Sequence, residues 1–193
     1  MSSQRTSHSL LTLTSLLAVF MLQGCQAPKK PETLTLSCKG VQWAKDLTLK
    51  NQIDGSNVQA DSYPFSKLYR LKPTIHPTSG LPSYIIMEKG EDQSTLRFEP
   101  GINRAITKDG GYDETKNTDV NGDLIQGHLY QKSINPKNNT TMIVKVDIEF
   151  NTSTWKVSEK WDDQYVNNDS PESLAGGNHT EFSGSCQPST EPF

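Results

Sequence analysis

The stretch TMIVKVDIEFNTSTWKVSEKW, residues 141–161, decides the fold class. Met142, Val144, Val146, Ile148 and Phe150 place an apolar side chain at every second position. Thr141, Lys145, Asp147 and Glu149 fill the gaps, and only Ile143 breaks the pattern. A period of two marks a strand with one face on a core and one in water. After the polar Asn151-Thr152-Ser153-Thr154, the alternation resumes at Trp155, Val157 and Trp161. These residues predict a hairpin in which Phe150 faces Trp155, Ile148 faces Val157 and Val144 faces Trp161. A one-residue slip would set the tryptophans against the polar set. Glu159 then falls on the apolar face opposite Val146. A desolvated carboxyl has a raised pKa and can serve as a general acid. The expectation is nevertheless that Glu159 lies near a sheet edge or open barrel end and escapes to water.

The same period recurs outward from this hairpin: at Leu34, Leu36 and Cys38; at Leu47 and Leu49; at Leu96 and Phe98; and at Thr180, Phe182, Gly184 and Cys186. Further strands are expected over 68–75, 83–89, 102–107 and 124–134. The inward face of 124–134 is open, since Ile125 and Leu129 compete with Leu124, Tyr130 and Ile134. Asn135-Pro136-Lys137-Asn138-Asn139 reads as a polar turn leading to Thr140. The polar stretches 108–123 and 162–179 read as long loops. Ser170-Pro171-Glu172-Ser173-Leu174-Ala175-Gly176 carries an N-cap residue, a proline at the first helical position and a closing glycine, which predicts one short helical turn. The fold class is all-β: a single antiparallel barrel or sandwich of about eight to ten short strands.

The chain has 193 residues and a formal net charge of −3, from 19 Lys and Arg against 22 Asp and Glu. That length fits one domain, and the balance supplies no basic field for nucleic acid. No apolar stretch reaches the ~18–20 residues of a spanning helix, which excludes a polytopic helical membrane protein.

Residues 1–9 are polar, with Arg5 as their one cation, and the apolar run LLTLTSLLAVFML over 10–22 follows. That order is the layout of a secretory signal. Leu22-Gln23-Gly24-Cys25 resembles the lipobox of bacterial lipoproteins. The resemblance implies that the Cys25 thiol takes a diacylglyceryl group and that the chain is cut before it. Acylation of the new amino terminus then follows. Residues 1–24 would be the signal peptide, 25–33 the lipidated cysteine and tether, 34–187 the domain and 188–193 a tail. Each buried CH₂ contributes ~0.8 kcal/mol, so two or three acyl chains anchor stably. Gln26 is not the aspartate that holds enterobacterial lipoproteins at the inner membrane, which implies an outer-membrane location facing the periplasm. With Cys25 lipidated, Cys38 and Cys186 remain as a matched pair in an oxidising compartment. A bond between them would tie the first strand to the last.

No G-x-S-x-G, H-E-x-x-H, C-x-x-C or G-x-x-x-x-G-K motif is present, so no catalytic residue is assigned. His76, His128 and His179 stand far apart and suggest surface or turn positions. Asn117, Asp119, Asn121 and Asp123 place oxygens at alternate positions, followed by Leu124, as in the first part of a calcium loop. The glutamate expected at the twelfth position is His128, and the simpler reading is a polar loop turning at Asn121-Gly122. Trp43, Trp155 and Trp161 either pack a core or line a cavity.

These features suggest a membrane-anchored envelope lipoprotein with a non-catalytic binding or structural module. Its partner would be an envelope protein, a glycan or a small ligand. One alternative is an envelope hydrolase using an acid such as Glu159 or Asp119 in a cleft. Another is a lipocalin-like carrier of an apolar ligand. An enzyme would bring two acids, or a histidine and an acid, together in one pocket. A carrier would enclose an apolar cavity of some hundreds of Å³.

Overall fold

The computed structural model describes residues 32–47, 61–89, 95–106 and 111–193. The signal segment, Cys25, most of the tether and Leu49 lie outside them. Ten strands follow in order: β1 (Leu34–Asp46), β2 (Asp61–Ile75), β3 (Pro82–Lys89), β4 (Thr95–Phe98), β5 (Ile102–Ile106), β6 (Tyr112–Asn121), β7 (Leu124–Asn135), β8 (Thr140–Asn151), β9 (Lys156–Asn167) and β10 (Ser170–Pro188). They form one antiparallel sheet in the order β4-β3-β2-β1-β10-β9-β8-β7-β6-β5, curled into a half-barrel. This is an up-and-down meander whose first and last strands pair with each other. The chain's successive strands β4 and β5 are left as the two edges. The barrel reading therefore holds and the sandwich does not.

The open seam is bridged by side chains. Thr118 of β6, fully buried, donates its hydroxyl to the Tyr84 carbonyl at 2.6 Å, and Ser83 of β3 donates to the Thr118 carbonyl at 2.8 Å. Below them, Asn117 Oδ1 accepts from Gly101 N–H at 3.3 Å and lies 3.0 Å from His76 Nε2. His76 Nδ1 accepts the N–H groups of Thr78 and Ser79, so Nε2 carries the proton and donates to Asn117. Both edges are short, which limits the unpaired backbone they present.

The interior is dry through its lower and middle parts. Leu36, Tyr69, Leu71, Ile86, Phe98, Ile125, Leu129, Val146, Ile148, Phe150, Val157 and Phe182 meet there. Tyr69 and Phe150 pack edge to face at 5.0 Å from opposite walls. On β7 the inward set is Ile125 and Leu129, with Gly127 between them. A Cβ on Gly127 would stand 2.8 Å from Ile148, 2.9 Å from Ile86 and 3.1 Å from Phe98. The missing side chain lets the β3–β4 wall close onto β7 and β8.

The β8–β9 hairpin has the expected faces but not the expected register. Phe150 pairs with Val157, Ile148 with Glu159 and Val146 with Trp161, a two-residue displacement along β9. Asn151 is the cause. Its Oδ1 accepts the N–H groups of Ser153 and Thr154 and the Ser153 hydroxyl, at 2.8–3.1 Å. This winds Thr152–Trp155 into a four-residue turn. Trp155 closes the turn at φ 53° and is exposed, rather than facing Phe150.

Three other expectations are corrected. The helical turn over 170–176 is instead the start of β10, irregularly paired with β9 at Leu174; a lone turn fixes several residues for a single hydrogen bond, whereas here β9 supplies a ladder. The loop over 108–123 contains β6, and the loop over 162–179 is the β9–β10 hairpin, turning at Asn168-Asp169. The 108–123 stretch is polar because β6 turns one face to water and keeps Glu114 and Thr118 on the other. The β7–β8 connection is the polar turn anticipated, with Asn139 at φ 51°.

Cys38 and Cys186 are paired residues of β1 and β10, and their sulfurs are bonded. The disulfide joins the ends of the meander beside Gly40 and Gly184, which also face each other.

Candidate functional site

In an up-and-down meander, alternate connections share one end. The end that holds Asp46, Asp61, Lys89 and Asp163 opens into a cleft of about 630 Å³. Its walls carry Gln42, Asp61, Tyr63, Phe65, Trp161 and Thr180, contributed by β1, β2, β9 and β10. Strand alternation positions each one. Gln42 extends the inward series Leu36, Cys38, Gly40; Phe65 extends Leu71 and Tyr69; Trp161 extends Val157 and Glu159.

The floor is an ionic cluster at the top of the dry core. Lys67 Nζ lies 2.5 Å from Glu159 Oε1 and 2.8 Å from Glu88 Oε1. The Tyr69 hydroxyl donates to Glu159 Oε2 at 2.7 Å. Glu159 is only 3% exposed, so it does not escape to water as expected. Its burial is tolerated because a cation and a phenol satisfy both carboxylate oxygens. Lys67 also lies 5.4 Å from the centre of the Phe182 ring. Burial pushes the Glu88 carboxyl up to about 7; the charge of Glu159 adds to the rise, and Lys67 opposes it. Burial alone would lower the Lys67 ammonium, yet the two carboxylates raise it. Burial, and then the charge of Glu159, raise the Tyr69 phenol well above its ordinary value. The cluster thus gathers one ammonium and two carboxyls, of which Glu88 is the one displaced toward neutral pH.

A second polar group lies on the inner face of β6. Glu114, 5% exposed, binds Lys116 Nζ at 2.8 Å and accepts from Gln131 Nε2 at 2.8 Å. Burial would raise this carboxyl, but the bonds from Lys116, Gln131 and Tyr112 hold it below its ordinary value.

The calcium-like residues do not wrap around a point. Asn117, Asp119 and Asn121 alternate along β6, and Asp123 follows Gly122 (φ 59°) in the turn to β7. The Asn117 amide donates to Asp119 Oδ2 at 2.7 Å, while its oxygen serves His76 and Gly101. Among the described residues, no group of three or more His, Cys, Asp or Glu side chains is arranged to hold a metal.

The three histidines occupy separate places. His76 clasps the seam. His128 pairs with Asp147 at 2.6 Å on the outer face. His179 sits on the outer face of β10, with Nδ1 2.5 Å from Asp162, Nε2 3.3 Å from Glu181 and its ring 5.1 Å from Trp43. The His128–Asp147, His179–Asp162 and His179–Trp43 contacts run across strands, His179–Glu181 lies along β10, and neither histidine lines the cleft. Of the tryptophans, only Trp161 lines it.

Sequence reasoning singled out Glu159 and missed Lys67, Tyr69, Glu88 and Glu114. The signal for three of them was available: if Leu71 points inward, so do Tyr69 and Lys67, and if Ile86 does, so does Glu88. No protein-family model matches the chain, and no curated protein or solved structure is significantly similar to it.

Proposed function

We propose that the chain is a lipid-anchored envelope protein whose β domain binds a small polar ligand in the cleft above Lys67, without transforming it. The observation that carries this reading is the cleft with its charge-compensated floor. A site whose buried groups are already paired is rigid before the ligand arrives, which limits the ordering cost of binding. Both Glu159 oxygens are engaged, and Glu88 grips the same ammonium, so neither acid is poised to attack or to activate water.

Anchoring through Cys25 rests on the lipobox. The first strand of the domain begins at Leu34, the end of β1 opposite Asp46 and the cleft. Acylation is tested by mass spectrometry of the full chain expressed in a bacterial host. The expected result is a diacylglyceryl adduct on Cys25 and release from membranes in Cys25→Ser. An unmodified Cys25 in a membrane-free protein would overturn it.

A hydrolase is the second reading, favoured by the convergence of Glu88 and Glu159 in one pocket and by a Glu88 carboxyl that burial pushes up to about 7. A general acid would need Glu88, so Glu88→Gln separates the readings. Under the binding proposal that variant still retains ligand, and parent and variant alike leave it unaltered. The packing around Gly127 speaks against a roomy apolar cavity and hence against a lipocalin-like carrier.

A further inference from the structure

Several features set the chemistry of a ligand in this cleft. Three aromatic side chains, Tyr63, Phe65 and Trp161, face it among hydrogen-bonding groups rather than forming a dry pocket. Phe65 and Trp161 also pack against the core. Tyr63 packs edge to face on Phe65 at 6.0 Å, and its hydroxyl accepts from Gln42 Nε2 at 2.9 Å. The walls therefore offer aromatic rings beside hydrogen-bonding groups.

Several charged groups of the cleft are already engaged, and Lys45, Asp46 and Asp61 also line it. Glu88 and Glu159 are held by Lys67. Asp163 Oδ1 accepts the Asn178 N–H at 2.9 Å. Lys89 donates to the Pro192 carbonyl at 3.0 Å. A cation that reached the floor would compete with Lys67 for its carboxylates, and an anion would meet Asp61 and Asp163 at the rim. A neutral ligand with many hydroxyls does neither. Its C–H faces stack on the rings, and its hydroxyls both donate and accept, as Gln42, Thr180 and the rim acids require. A volume of about 630 Å³ has room for a short oligomer.

Resting on the reading of the cleft as a binding site, we infer that it takes a neutral oligosaccharide, stacked on Trp161 and hydrogen-bonded by Gln42, Asp61 and Thr180. The test is calorimetry on the full lipidated chain in a detergent without sugar headgroups, with chitotriose and maltotriose as probes and spermidine and inorganic phosphate in parallel. Saturable binding of at least one sugar is expected. Trp161→Ala should weaken it about tenfold or more, and Gln42→Ala severalfold. Gln42 lies away from the core, so its variant keeps the test sound if Trp161→Ala folds poorly. The inference is overturned if the folded parent saturates with neither sugar, or if sugar binding is unchanged in both variants. Saturation by spermidine or phosphate alone, lost in Gln42→Ala, also overturns it but leaves the cleft standing as a binding site. Acylation of Cys25 is judged separately by mass.

Discussion

Lys67 of β2 and Glu159 of β9 meet at 2.5 Å across the interior, although β1 and β10 lie between their strands in the sheet. Only a curled sheet allows this, so the ion pair reports on the curvature itself. Removing one partner of a buried pair leaves an uncompensated charge and typically costs about 3–5 kcal/mol. Lys67→Met should be the worst single change, since it leaves Glu88 and Glu159 facing each other. Glu159→Leu should cost less, because Lys67 keeps Glu88. The double variant Lys67→Met/Glu159→Leu should recover much of the loss, as apolar replacements of such pairs often do. Urea unfolding of the four proteins completes the cycle. A purely additive double variant would refute coupling across the interior.

Glu88 and Glu114 should give the folded state opposite pH dependences. The Glu88 carboxyl is raised from 4.5 to about 7, so the folded chain holds a proton that the unfolded chain releases. Its contribution is fully present below about pH 4.5 and is lost as pH rises through about 7. Glu114 is lowered; its contribution is present above the ordinary carboxylate range and is lost as pH falls through its folded value. Glu88→Gln should flatten the decline of stability between pH 5 and 8, and Glu114→Gln should flatten the loss on the acid side. Melting temperatures from pH 5 to 8 decide the first, and melting temperatures on the acid side of the ordinary carboxylate value of 4.5 decide the second. A Glu88→Gln profile parallel to the parent's would remove the assignment.

The hydrophobic alternation made most strands legible, from Leu36 and Cys38 to Met142–Phe150, because a face that must be dry writes a period of two. It failed where that pressure is absent. β6 keeps Glu114 and Thr118 on its inner face, so it offers no apolar series, and its Asn and Asp residues imitate a loop. The β8–β9 register was misread for a different reason: Trp155 continues the apolar pattern, but the Asn151 side chain organises a longer turn, and local hydrogen bonds outweigh one aromatic pair. The ionic floor was half legible. Glu159 could be placed on an apolar face, but its partners come from β2 and β3, and no local pattern reveals contacts across the barrel.

Two glycines should respond differently to the same added methyl group. A Cβ on Gly127 would stand 2.8 Å from Ile148 Cγ2, 2.9 Å from Ile86 Cδ1 and 3.1 Å from Phe98 Cδ1, side-chain atoms that must give way but can do so without breaking a backbone ladder. One on Gly40 would stand 2.0 Å from the Ser183 carbonyl oxygen and 2.5 Å from Gly184 Cα. These are backbone atoms of the paired strand, which cannot move without breaking the β1–β10 ladder. Gly127→Ala should therefore cost about 1–3 kcal/mol, in the usual range for overpacking, and Gly40→Ala should cost more. Denaturation midpoints of the two variants test the order, and a Gly40→Ala protein as stable as Gly127→Ala would contradict the close approach of those strands.

The β1–β10 ladder is also where the disulfide acts. Cys38 and Cys186 are separated by 148 positions in the chain, and closing so long a loop restricts the unfolded ensemble by up to about 5 kcal/mol on chain-entropy reasoning. The bond lies in the ladder that completes the meander, while β4 and β5 leave the opposite seam without backbone pairing. With the bridge cut, both places where the sheet could open depend on non-covalent contacts alone. Reduction should therefore lower the melting temperature, and Cys38→Ala/Cys186→Ala should match the reduced parent. Hydrogen exchange should rise first along β1 and β10, because their mutual ladder loses its tether. Oxidised and reduced chains with equal melting midpoints would show that the ladder holds without the bridge. Loosening confined to β4–β6 would place the weak seam elsewhere than the disulfide.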